Sequence, residues 1–331
     1  MKHSIIFLSL SLAASLWACQ KENMVADRFL EAVPREYMVR LDVPDAQKNL
    51  KDLGDVAESY LTTVRVTRDV NTAVRNWLLW VEAIVRYPAS DFDDTSSTWG
   101  PWEPDDGLSS VLYRFRMWIN EDESFDYAFE LRPKNDAGAP FVPVYTGHVD
   151  PGGLPTLNAG TMHFDFDAAA SVDLAVDSAG TITVAYDYIG GQKDITVAFV
   201  DWQEHASSTP VTANYHYVAS AAGDGHFDFE TWADVHAGTE EATQYPGLEH
   251  WRLRSRWTPD GEGRSDVLVT GEDLTAQGVT DFRQSECWDT SFASGYLWRQ
   301  VTIPPDPVYT EVLWGAESAC AAFPAFSEPE L

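Results

Sequence analysis

Positive charge is scarce in this chain. Lys and Arg number 22 against 52 Asp and Glu, a formal net charge of -30 over 331 residues. So acidic a protein lacks the basic footprint that DNA, RNA or an anionic bilayer surface requires of a main partner. Cysteine is nearly missing too, at three residues, Cys19, Cys287 and Cys320. That count excludes a disulfide-dense scaffold, and isolated sulfurs without near neighbours do not make a Cys-based metal centre. Past the first 18 residues no run approaches 18 consecutive apolar residues, so no helical membrane span is expected there. The common catalytic signatures are absent as well: no H-E-x-x-H, G-x-S-x-G, P-loop or dinucleotide fingerprint occurs. The expectation is a protein that is not an enzyme and holds no cofactor and no metal.

Large apolar side chains, by contrast, are plentiful. Hydrophobic residues make up 44% and charged ones 22%, with 13 Trp, 13 Tyr and 16 Phe, which suits neither a disordered polyelectrolyte nor a multi-span membrane protein. At this length a β-rich chain forms one large domain as readily as two smaller ones.

The N-terminus carries an address. Lys2 and His3 precede an almost wholly apolar or small stretch, Ser4 to Ser15, too short for a permanent span and suited to the h-region of a signal peptide. It ends at Leu16-Trp17-Ala18-Cys19, which resembles the lipobox of bacterial lipoproteins, with Trp17 standing where a small residue is usual. The resemblance implies that residues 1–18 are removed and that Cys19 carries a diacylglycerol thioether and an N-acyl chain such as palmitate. Several acyl chains together anchor stably. The implied address is the cell envelope, bound to the membrane by the lipid. Gln20, rather than Asp, after the Cys implies the outer membrane if the source has two membranes. An exported chain meets an oxidising compartment, so Cys287 and Cys320 are expected to pair as a disulfide bond.

Residues 19–34 read as an acylated polar tether, and 35–331 as a single antiparallel β domain with helices at about 46–86. Tyr37, Val39, Leu41 and Val43 alternate with polar or smaller neighbours, which predicts a strand ended by Pro44. Val70, Val74, Trp77, Leu78, Val81, Ile84 and Val85 recur at three- and four-residue steps, which predicts an amphipathic helix with Asp69 as its cap and Pro88 as its stop. The β-branched run from Thr62 to Thr67 leaves one helix or two open. After a turn-rich stretch, 90–107, period-two runs follow. They include Val111 to Ile119, Phe125 to Leu131, Met162 to Phe166, Val172 to Val176, Ile182 to Tyr188 and Ile195 to Phe199, then runs near Tyr215, Phe227 and Trp251. Short connections such as Gly190-Gly191 dictate antiparallel neighbours, and roughly ten strands in meander order cannot stay flat.

The predicted fold class is mainly β (α+β): a large curved antiparallel meander sheet, or half-barrel, wrapped on an N-terminal helical segment. In element order and aromatic richness alone this resembles the half-barrels of lipoprotein carriers and lipid-binding lipoproteins of the LolA/LolB and LppX type. That resemblance implies an apolar cavity under the helix, with Trp77, Trp80, Phe115, Phe129 and Phe199 as candidate lining. Two functions follow. One is a binding or carrier module for an apolar small molecule or lipid; the other is a structural or adhesive surface lipoprotein with a solid core.

Other constellations are weaker. His163-Phe164-Asp165-Phe166-Asp167 recurs as His226-Phe227-Asp228-Phe229-Glu230, which in a strand puts aromatics on one face and metal-capable groups on the other. Ordinary half-buried strands look the same. Acids lie beside histidines at Asp201 and His205, at Glu249 and His250, and at His236 with Glu240 and Glu241, but in no catalytic spacing. Arg252, Arg254, Arg256 and Arg264 form either an anion-binding ladder or cross-strand partners for the surplus acids.

Overall fold

The computed structural model describes residues 27–44, 56–103, 110–153, 156–234, 236, 240, 243–305, 308–329 and 331, without the side chains of 69 and 73. The signal segment, Cys19 and positions 46–55 of the expected helical region lie outside the described residues.

The chain opens with helix α1 (27–32), a short helix α2 (Glu36–Val39) and a long helix α3 (Glu58–Val85). Fifteen strands then form one antiparallel sheet, spatially ordered as in sequence and not closed. They are β1 (Asp91–Phe92), β2 (Ser96–Trp102), β3 (Val111–Ile119), β4 (Phe125–Pro133), β5 (Val142–Asp150), β6 (Leu157–Asp165), β7 (Ala179–Ile189) and β8 (Gln192–Gln203). After these come β9 (Val211–Ala219), β10 (Gly225–Ala233), β11 (Glu249–Trp257), β12 (Gly263–Gly271), β13 (Asp281–Trp288), β14 (Ser294–Thr302) and β15 (Val308–Gly315). Helix α4 (Phe166–Val172) follows β6, and α5 (Glu272–Ala276) follows β12. The mainly β meander wrapped on an N-terminal helical segment is therefore what the chain forms.

Local chemistry explains the turns. Gly190 and Gly191 both adopt positive φ, 58° and 96°, as a two-residue hairpin loop needs to match strand twist. Between β3 and β4, the Asp122 carboxylate accepts from the Ser124 amide and hydroxyl at 3.1 and 2.6 Å.

Helix α3 runs unbroken through position 69, so no helix starts there and no cap is needed. The threonine-rich stretch is helical, its Thr62, Thr63, Thr67 and Thr72 hydroxyls donating back to carbonyls four residues earlier at 2.9–3.0 Å. One side of α3 faces the sheet, with Leu78, Val81 and Val85 buried in one core with Phe115, Met117, Val197 and Leu253. The amino end is secured by β13: the Glu286 carboxylate accepts from the Glu58 and Ser59 amides at 3.3 and 2.9 Å. Thr63 meets the β11 hydroxyl of Ser255 at 2.6 Å.

Three expectations are corrected. The strand predicted over 37–43 is α2 followed by an extended segment without ladder pairing. Its backbone is held by side chains: Asn71 brackets Leu41, Tyr217 donates to the Asp42 carbonyl, and Lys193 donates to the Arg40 carbonyl and the Asp42 carboxylate. The strand predicted over 172–176 is absent, and the run from Met162 to Phe166 stops at Asp165. Asp165 accepts from the Ala168 amide at 2.7 Å as an N-cap, and the small residues Ala168–Ala170 favour α4. Finally, the stretch read as tether contributes α1, whose Phe29 is fully buried against Phe115, Phe125 and Tyr127.

Cys287 on β13 and Cys320, in a 3-10 turn (Glu317–Cys320), lie at disulfide distance with Cα atoms 5.5 Å apart, within the range a bridge requires. The pair ties the carboxyl-terminal segment to the outer face of the sheet, the face turned away from α3.

Candidate functional site

Four of the five candidate lining residues meet near the carboxyl end of α3. Trp77 lies on Tyr145 with ring centroids 3.4 Å apart and meets Phe164 edge-on at 5.6 Å. Trp80 stands edge-on to Phe129 at 4.6 Å and to Phe115 at 6.4 Å, geometry that aromatic quadrupoles favour. Phe199 lies apart on β8, against Trp202 and Tyr215. Tyr215 continues through Phe229 to Trp251 as a ladder of half-buried rings on the inner face.

From Trp80 outward the packing opens into a cleft of about 410 Å³, between the last turns of α3, the 86–90 connection and β2. Its walls are Trp80, Ile84, Tyr87, Trp99, Pro101 and Trp102, with Ala83, Pro88, Ser90 and Gly100 between them. Every one of these side chains is uncharged, on a protein of net charge -30. The geometry is fixed by hydrogen bonds at its margins. The Trp99 indole donates to the Tyr87 carbonyl at 2.8 Å, and the Gly100 amide donates to the Ser90 hydroxyl at 3.0 Å. Gly100 has φ +92°, and a Cβ there would overlap the Trp102 ring, so glycine both permits the backbone and lets Trp102 fold across the cleft. Trp102 is held edge-on to Tyr113 at 5.0 Å. A preformed aromatic cleft of this size suits an apolar molecule or a flat ring system.

Trp80 alone links this cleft to the sequence-based candidates. Trp99 and Trp102 fall in the stretch read as turns, and the signal that could have found them is the pair of indoles flanking Gly100-Pro101. A second cavity, about 530 Å³, lies between the 36–44 segment and α3, but Glu36, Arg40, Asp42, Arg68 and Arg75 make it charged.

Three of the four ladder arginines are paired within the fold, while the buried Nε of Arg252 has no hydrogen-bond partner among the described residues. Arg254 forks onto Asp228 with both bonds at 2.6 Å, while Arg256 and Arg264 share Asp266 at 2.5 and 2.8 Å. Both aspartates are fully buried. The carboxyl-terminal segment completes the network, with the Phe323 and Ala325 carbonyls accepting from Arg264 and Arg256 and the Ser327 hydroxyl accepting from Arg254. Carboxylates on the same or the neighbouring strand therefore account for Arg254, Arg256 and Arg264. Of the acid–histidine pairs, His250 bonds Glu230 at 2.9 Å and stacks on Trp232. His205 lies in an exposed turn 3.9 Å from Asp177, and His236 is 4.0 Å from Asp273. The two copies of the near-repeat diverge: the first breaks into α4 after Asp165, whereas the second stays within β10.

Among the described residues no helix is long and apolar enough to cross a membrane. Comparison with family models, with curated proteins and with solved structures finds no match to this chain.

Proposed function

We propose that this chain is an exported, acylated envelope lipoprotein without enzymatic activity, whose aromatic cleft binds an apolar small molecule of lipid type. The observation that carries the reading is the cleft: about 410 Å³ walled by three Trp and a Tyr, with no charged side chain, on so acidic a protein. Its volume lies within the span of ligand sites, roughly 300–1,000 Å³. The lipobox at Leu16-Trp17-Ala18-Cys19 supports the anchor. A lipid-anchored binder would hold the cleft near a bilayer that supplies such ligands.

Two measurements test the two halves separately. Native mass spectrometry of the purified full chain, with Trp fluorescence during titration by a long-chain fatty acid, should find one bound ligand, and Trp102→Ala should weaken binding. Cys19→Ser should abolish membrane fractionation and palmitate incorporation while leaving cleft binding intact. No adduct, and fluorescence unmoved by fatty acid, would overturn the binding half. The close, tilted contact of Trp77 with Tyr145 favours the structural or adhesive reading in that event, because it fills the space under the helix.

A further inference from the structure

The outer face of β8, β9 and β10 gathers four side chains that nothing above has used together. Asp194, His216, His226 and Asp228 project from three adjacent strands, with Asp228 directly opposite His216 in the ladder and His226 beside it. One donor atom from each of His216, His226 and Asp228 lies within 4.8 Å of the other two. Asp194 Oδ1 is 2.9 Å from His216 Nε2 and so adjoins the group through that histidine. His226 Nε2 is 3.9 Å from Asp228 Oδ2.

We propose that His216, His226 and Asp228, with Asp194 supporting His216, form a binding site for one divalent cation of the zinc class. Zinc takes nitrogen and oxygen ligands at about 2.0–2.2 Å in a tetrahedron, which places neighbouring donors roughly 3.3 Å apart. The His226–Asp228 separation of 3.9 Å lies near that spacing. Two imidazoles with a carboxylate select a borderline cation over calcium, which prefers oxygen alone. Asp228 and Asp194, with Arg254 included, leave a net of -1 to attract a dication. Arg254 holds Asp228 by a two-point fork, the kind of supporting contact that orients a metal-binding carboxylate. His226 makes no hydrogen bond among the described residues, and its ring meets that of His216 edge-on at 5.7 Å. The site opens to solvent, with Asp194 half exposed and both imidazoles partly so.

The test is calorimetric titration of the chelator-treated full chain with zinc chloride, paralleled by the visible spectrum of the cobalt-substituted protein. One equivalent should bind, with a tetrahedral cobalt spectrum. His216→Ala and His226→Ala should each weaken binding at least about tenfold, the lower bound for losing even a supporting group. His163→Ala, on the same face but bonded to Thr183, should leave binding unchanged. Circular dichroism checks that each variant folds. Absence of binding to the folded wild-type chain would overturn the proposal. So would binding that survives both substitutions, which would instead point to the separate group Asp234, His236 and Glu249.

Discussion

Glu286 offers a sharp test of how the helix is held to the sheet. Ala57, at the N-cap of α3, supplies no side-chain acceptor, so the first amides of a 28-residue helix depend on a carboxylate 227 residues away. Glu286 is almost fully buried and also accepts from the Ser294 hydroxyl at 2.7 Å. Removing it by Glu286→Ala deletes a cap, worth about 0.5–2 kcal/mol, and a negative charge at the positive end of the dipole, worth up to about 2 kcal/mol when partly buried. The stranded amides then add an unsatisfied-donor penalty. Because these contributions overlap, the expected loss is about 2–4 kcal/mol, roughly 3–6 °C in melting temperature for a chain of this size. Glu286→Gln keeps an acceptor but loses the charge, so it should fall about midway. Urea unfolding followed by far-UV circular dichroism reads both variants. A loss below about 0.5 kcal/mol for the alanine variant, or equal losses for the two, would refute the assigned role.

Three further outcomes are expected. Trp77→Ala should cost about 2–4 kcal/mol in urea unfolding, somewhat below a fully buried indole because Trp77 keeps partial exposure; a neutral result would mean the stripe does not hold α3. Reduction or Cys287→Ser should cost roughly 3–4 kcal/mol in the chain-entropy account of a bridge closing 33 residues, and should make the last ten residues the first site of limited proteolysis. Burial pushes the Tyr127 phenol up to about 12 and raises Tyr145, Tyr186 and Tyr217 as well. A phenol held neutral stabilises the fold fully below its unfolded value of about 10, and this is lost as pH climbs through the folded value. Spectrophotometric titration should therefore show these four ionising only with alkaline unfolding; ionisation of all tyrosines near 10 in the folded protein would contradict the burial.

The parts of the fold legible in sequence are those where one face is dry and the other wet. Strand β3 and the stripe on α3 obey that rule, so period alone located them. Strand β12 does not: its inner residue Val267 and outer residues Arg264 and Asp266 are all buried, because the carboxyl-terminal segment covers the outer face. With no alternation, the strand left no signal. At 37–43 the alternation was real but misleading, since an extended chain stapled by Asn71, Tyr217 and Lys193 buries alternate groups without joining a ladder. The cleft escaped notice for a related reason. Gly100 and Pro101 read as a turn, yet they bend β2 so that Trp99 and Trp102 can face the same space. Conversely, the arginine-rich run invited an anion-binding reading that the buried Asp228 and Asp266 remove.

The strictly sequential strand order has a consequence for the route by which the chain reaches this state. Each strand pairs with its immediate neighbours in sequence, so most hairpins close a short loop at small entropic cost and the sheet can lengthen one strand at a time. The distant contacts are concentrated in the helix instead, where Thr63 waits for Ser255 and Ser59 for Glu286, 192 and 227 residues later. A ribosome delivers α3 long before those strands exist. The helix is thus among the first segments made, and its amino end is locked only when β13 has been added, which makes its capping the report that the sheet is nearly complete.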